Sequence, residues 1–152
     1  CQVSGEVLER ARVRMECPTP RVELGQALRN VAHAAIDVSD GLLGDLGHIL
    51  KRSGVGAQME TAWVQGSAAV TPDVLALTWP RRLDCVLAGG DDYELLFTAP
   101  VLHRERIHAL ASDLEVPVTR IGRITAESGL RVLDPQGQPI NRRFASFDHF
   151  SA

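Results

Sequence analysis

Lysine is nearly absent from this sequence: Lys51 stands alone among 16 basic residues, the rest being arginines. Any phosphate chemistry here therefore cannot rest on a set of lysine point charges. Cysteine is scarce too. Cys1, Cys17 and Cys85 are odd in number and have no CxxC spacing, which argues against a zinc site or a disulfide framework and for plain thiols in a reducing compartment. No apolar run approaches the length of a membrane span and no charged-then-apolar leader opens the sequence, which predicts a cytoplasmic protein with no membrane partner. The net charge of -3 and a pI near 5.9 leave no positive field to draw in a phosphate backbone, so nucleic acid is not expected as a partner. A Ser-His-Asp arrangement, HExxH and the Walker phosphate loop are also missing.

What remains is the balance of an ordinary globular domain, with 152 residues, 45% hydrophobic and 23% charged. A chain of this size can build a core without disulfides or a structural metal. It begins at Cys1 rather than Met, and the expectation is a single domain, residues 1–152, cut from a longer protein. Apolar spacing predicts a helix over Gly5–Met15, stopped by Pro18 and Pro20, and a second from Val22 to near His33. Ala34–Val38 reads as a short buried strand. A helix with the stripe Leu42, Leu43, Leu46, Ile49 and Leu50 follows, capped by Ser39 or Asp40 and stopped at Gly54. Further strands are predicted at Ala57–Glu60, Leu83–Ala88, Tyr93–Thr98 and Pro117–Ile124, with a short helix after Thr71-Pro72 and another over Val101–Leu114. A hairpin should close the chain, Leu130–Leu133 turning at Asp134-Pro135-Gln136-Gly137 into Pro139-Ile140. Two strand–helix–strand units imply an α+β fold, a layered mixed sheet with helices, split-βαβ and ferredoxin-related.

Two segments have the composition of a site. In Asp37-Val38-Ser39-Asp40-Gly41-Leu42, strand alternation puts Asp37 and Ser39 on one face while Asp40 begins the helical turn, so oxygen ligands can converge at a strand end. That donor set suits Mg²⁺, which takes one or two carboxylates together with water and substrate phosphates. The same residues also fit a plain structural role, with Asp37 tied to backbone amides and Ser39 or Asp40 capping a helix. Gly89-Gly90-Asp91-Asp92-Tyr93-Glu94 follows a similar pattern: the glycines allow close approach of a ligand, and the acids could hold a cation. A hairpin turn needs the same residues. It leaves unexplained why Asp91, Asp92 and Glu94 crowd together, which is unfavourable without a positive charge nearby. His48, with Asp45 three residues before it, reads as a surface or half-buried histidine rather than a catalytic base.

Taken together, the stretches Pro20–Gly25, Ala35–Leu42, Asp45–Ile49, Gly89–Phe97 and Phe147-Asp148-His149-Phe150 resemble, in order, the C-terminal half of the thiamine-monophosphate kinase family. That family is related to aminoimidazole ribonucleotide synthetase. The resemblance implies an ATP-dependent, Mg²⁺-requiring transfer to thiamine monophosphate, yielding thiamine diphosphate. It also implies an N-terminal domain that dimerises and carries much of the nucleotide site, and a C-terminal α+β domain that closes it. By the same resemblance Asp37 and Asp40 are Mg²⁺ ligands, Ser39 contacts ATP, and Asp91 and Phe147 contact the thiamine substrate. The family often has Glu at the position of Asp91 and Tyr or Trp at that of Phe147. Direct in-line transfer needs no catalytic base, because the acceptor phosphate is already a nucleophile, and none is assigned. Another ATP-dependent synthetase of the same superfamily, or a ligand-binding module without catalysis, are the competing readings.

Overall fold

The computed structural model describes residues 5–67, 70–91, 93–142 and 144. Two long-range strand pairings organise it. Strand β1 (Ala34–Asp37) pairs antiparallel with β3 (Leu95–Thr98), Asp37 lying opposite Leu95. In a second sheet β2 (Gly56–Glu60) is central, antiparallel to β4 (Gly122–Thr125) and parallel to β5 (Gly129–Leu133).

Helix α3 (Leu42–Ser53) follows β1 and buries Leu46, Ile49 and Leu50 at the expected three- and four-residue spacing. Gly54 ends it in the left-handed conformation, donating its N–H to the carbonyl of Leu50. These side chains join Met59, Leu83, Leu87 and Val132 in the main core. Helices α1 (Gly5–Glu16) and α2 (Val22–Ala27) precede β1. Leu24 and Leu28 form a smaller cluster with Val31, against which Phe97 and helix α7 (Arg104–Asp113) pack through Ile107 and Leu110. Short helices α4 (Thr61–Gln65) and α5 (Pro72–Leu75) bridge to α6 (Trp79–Ala88), and Thr71 caps α5 by accepting from the N–H of Val74. The closing hairpin is present as expected, Leu133 bridging Pro139 while Asp134 Oδ1 accepts from the amides of Gln136 and Gln138.

The α+β class stands, with corrections inside it. Leu83–Ala88, expected as a strand, is the second half of helix α6. Pro80 sits in its first turn, where a missing N–H costs nothing, and Leu83 and Leu87 are buried one turn apart while Cys85 faces out. The diglycine that follows therefore joins a helix to a strand and is no hairpin. Helix α2 stops at Ala27 instead of His33, and Asn30 takes a left-handed φ of 61°. The strand expected over Pro117–Ile124 is found at Gly122–Thr125; Pro117 has no N–H to give a ladder. Each expected strand–helix–strand unit divides between sheets, since β1 and β2 belong to different ones, as do β3 and β4. Cys17 and Cys85 are free and exposed. Among the described residues no helix is long and apolar enough to cross a membrane.

Leu87 is 0% exposed at the centre of the main core. Leu87→Ala should lower unfolding free energy by about 2–5 kcal/mol, measured by urea denaturation at constant m-value.

Candidate functional site

The pairing of β1 with β3 continues beyond both strands and draws the two acidic segments together. The amide of Val38 donates to the carbonyl of Glu94 and the amide of Tyr93 to the carbonyl of Val38, each at 2.9 Å. One step further, the amide of Asp91 donates to the carbonyl of Ser39 at 3.0 Å. Such close approach needs Gly90 to lack a side chain, because a Cβ there would lie 2.4 Å from the carbonyl oxygen of Ser39. Gly41, at a φ of 107°, is also packed closely against the end of α6, where a Cβ would meet the carbonyl of Ala88 at 2.8 Å. Asp91 and Tyr93 both take left-handed backbone conformations, φ 62° and 52°. Residues without glycine's freedom hold such angles only where the surrounding bonds impose them.

The strand alternation expected of the first segment places Asp37 exposed at the end of β1, with Ser39 and Asp40 half-buried in the turn that follows. Tyr93 reports how near the acids are. Its hydroxyl donates to Asp91 Oδ1 at 3.2 Å, and its pKa is raised above the ordinary phenol value, first by that hydrogen bond, then by the charge of Asp91, with smaller contributions from desolvation and from the charges of Asp37 and Asp40. The charges of Asp91, Asp37 and Asp40 thus all act on one aromatic side chain. Beside them a groove of about 460 Å³ is lined by Pro18, Pro20, Arg21, Asp37, Tyr93 and Leu95. Among the described residues no three His, Cys, Asp or Glu side chains converge closely enough to hold a metal ion by themselves.

The positive charge that the crowded acids require comes from the N-terminal segment. Arg21 clamps Glu94 with two bonds, Nε to Oε2 and an NH2 to Oε1, both at 2.8 Å. Arg14 of α1 reaches the same carboxylate. Glu94 is consequently held below the usual carboxylate range, chiefly by its hydrogen bond from Arg21, against an opposing contribution from burial. The Arg21 pKa is raised for the same reason.

Of the residues singled out from sequence, Asp37, Ser39, Asp40 and Asp91 meet at one edge of the β1–β3 pair. Phe147 and Asp92 lie outside the described residues. Neither Ser39 nor Asp40 caps α3: the cap position is Gly41, which makes no side-chain bond. Instead Asp45, within the first turn of the helix, reaches back, and its Oδ2 accepts from the amides of Ser39 at 3.0 Å and Asp40 at 3.1 Å. The sequence named Asp45, Tyr93 and Glu94 only as members of their motifs; the reach of Asp45, the Tyr93–Asp91 bond and the pairing of Glu94 with Arg14 and Arg21 were not foreseen. A signal existed for the last of these, since three carboxylates within four positions call for a cation, but nothing local says which arginine supplies it.

Residues 4–134 match the family described as AIR synthase related protein, C-terminal domain, and the chain belongs to that family. The chain is similar to several thiamine-monophosphate kinases. The thiamine-monophosphate kinase of Salmonella typhimurium strain LT2 is 44% identical over 138 residues, which are 88% of this chain and 40% of that protein. The crystal structure of thiamine-monophosphate kinase from Stenotrophomonas maltophilia K279a superposes with a TM-score of 0.74 at 46% identity, covering 87% of this chain and 41% of that one. Escherichia coli HypE, a hydrogenase maturation protein, shares the fold at a TM-score of 0.61 and 20% identity, covering 84% of this chain and 39% of that one. The chain thus spans about 40% of the length of the curated relatives it matches.

Because folding lowers the pKa of Glu94, its ion pairs stabilise the protein fully above the ordinary carboxylate range, and that contribution is lost as the pH falls through the folded-state value. Glu94→Gln should therefore lower stability at neutral pH by about 1 kcal/mol, a modest figure because the side chain is 35% open to solvent. The gap from wild type should close as both are acidified below that range. Thermal melts across pH check this, and a gap independent of pH would refute it.

Proposed function

We propose that this chain forms the C-terminal half of a thiamine-monophosphate kinase, an enzyme that transfers the γ-phosphoryl group of ATP to thiamine monophosphate and releases thiamine diphosphate and ADP. The observation that carries the reading is 44% identity, over 88% of the chain, to a relative bearing that name. A further domain of the intact protein would complete the nucleotide site and form a homodimer, in the cytoplasm.

In this reading Asp37 and Asp40 hold Mg²⁺. Their fit is chemical: two carboxylates at a strand end offer the hard oxygen donors that Mg²⁺ prefers, in the small number it takes from protein when substrate phosphates supply the rest. When bound, the ion would offset the negative charge of donor and acceptor phosphates. The remaining work falls to the chain's own groups. Ser39 directs its hydroxyl toward ATP while its backbone carbonyl is engaged by Asp91. The Asp91 carboxylate faces the cationic thiazolium, and Phe147 offers it a ring face. An acceptor phosphate is ionised at neutral pH and attacks in line without help from a base. Asp37, Asp40 and Asp91 therefore act by charge and position rather than by moving protons.

The test is an assay of the intact protein for thiamine diphosphate formed from ATP and thiamine monophosphate, with and without Mg²⁺. Asp37→Asn and Asp40→Asn should each lower kcat/KM by about 100-fold or more, as expected when electrostatic stabilisation of a transition state is removed. Full activity in both variants would overturn the metal assignment. No thiamine diphosphate from the wild type would overturn the function.

A further inference from the structure

Asp45 is 2% exposed, and it is a charged side chain buried in a core made otherwise almost wholly of apolar groups. A carboxylate in such a place is costly unless its oxygens are engaged. Here one oxygen, Oδ2, takes the amides of both Ser39 and Asp40. These are not the bonds of an ordinary helix cap. In a capping box a side chain of the first turn returns to the amide of the cap residue, which is Gly41 here. Asp45 passes over Gly41 and holds the two amides before it, in the turn that carries the acidic residues.

The turn is thereby fixed from two sides. The peptide unit joining Ser39 to Asp40 gives its N–H to Asp45 and its carbonyl to the amide of Asp91. A rotation of that peptide would break both bonds and bring its oxygen against the carboxylate. Ser39 and Asp40 are thus attached to a backbone held on both sides, next to Asp37 at the end of β1. We propose that Asp45 is a positioning residue for the cation site: through the amides of Ser39 and Asp40 it sets the spacing of the Asp37 and Asp40 carboxylates, without touching the ion itself. The proposal rests on the assignment of Asp37 and Asp40 made above. Groups that orient metal ligands from behind characteristically change metal affinity by about 10-fold to 100-fold when removed.

Two measurements on the intact protein test this, with Mn²⁺ as the probe ion. Amide hydrogen exchange in Asp45→Ala should speed up by about 10-fold or more at Ser39 and Asp40, as loss of a hydrogen bond to a charged group implies. Exchange in β2 and in the C-terminal half of α3 should stay as in wild type. Affinity for Mn²⁺, read by electron paramagnetic resonance, should fall by about 10-fold or more. A merely structural role would instead raise exchange throughout the core and leave Mn²⁺ affinity of the folded protein unchanged, and that result overturns the proposal. If Asp45→Ala does not fold, Asp45→Asn decides. Its amide oxygen can replace Oδ2, but without the charge, so exchange at the two amides should rise by about 3-fold with Mn²⁺ affinity weakened alongside. Exchange unchanged in that variant would overturn the proposal. Asp37→Asn and Asp40→Asn serve as controls: Mn²⁺ binding indifferent to both would remove the underlying site assignment instead.

Discussion

The antiparallel pairing of β1 with β3 is the constraint on which the acidic edge depends. Its hydrogen bonds run on past Asp37 and Leu95, through Val38 with Glu94 and Tyr93, to Ser39 with Asp91. Each bond beyond the strands demands something of the sequence. Gly90 must be without a side chain for the backbones to meet, and Asp91 and Tyr93 must accept left-handed angles so that the chain can turn into the strand. Glu94 needs cations beside it before it can stay ionised among other acids. What the packing energy of the two apolar clusters provides is a rigid base for this arrangement, with α3 buried behind β1 and the second cluster supporting Phe97 of β3.

Arginine in place of lysine takes on meaning at Glu94. The planar fork of Arg21 meets both carboxylate oxygens, and a lysine at that position would supply one point of attachment to a carboxylate that must be both neutralised and oriented. Beyond that pair, the charges of Asp91, Asp37 and Asp40 all act on the Tyr93 hydroxyl.

Much of this was legible from sequence where the signals were local. The buried stripe of α3, its left-handed stop at Gly54, strand β1 and the closing hairpin all follow from residues within a few positions of one another. Both halves of the acidic edge were visible for the same reason, as short polar runs beside apolar ones. Leu83–Ala88 misled because five or six residues rich in apolar side chains fit either period, and Pro80, three residues upstream, had to arbitrate. The reach of Asp45 depends on the path of a loop rather than on spacing along a helix. The Arg21–Glu94 clamp joins residues 73 apart, and no local pattern can announce a partner at that distance.

That distance has a consequence for how the protein comes into being. Had Gly89–Asp92 been the tip of a hairpin, the acidic turn could have formed early, from its own flanking strands. Because a helix precedes it and its partner strand lies far upstream, the turn must wait until a long loop has closed, with the entropy loss that such closure entails. Folding and assembly of the acidic edge are then one event. In a partly unfolded molecule Asp37, Ser39 and Asp40 lie on one segment and Asp91 on another, and only the closed pairing of β1 with β3 brings the two together.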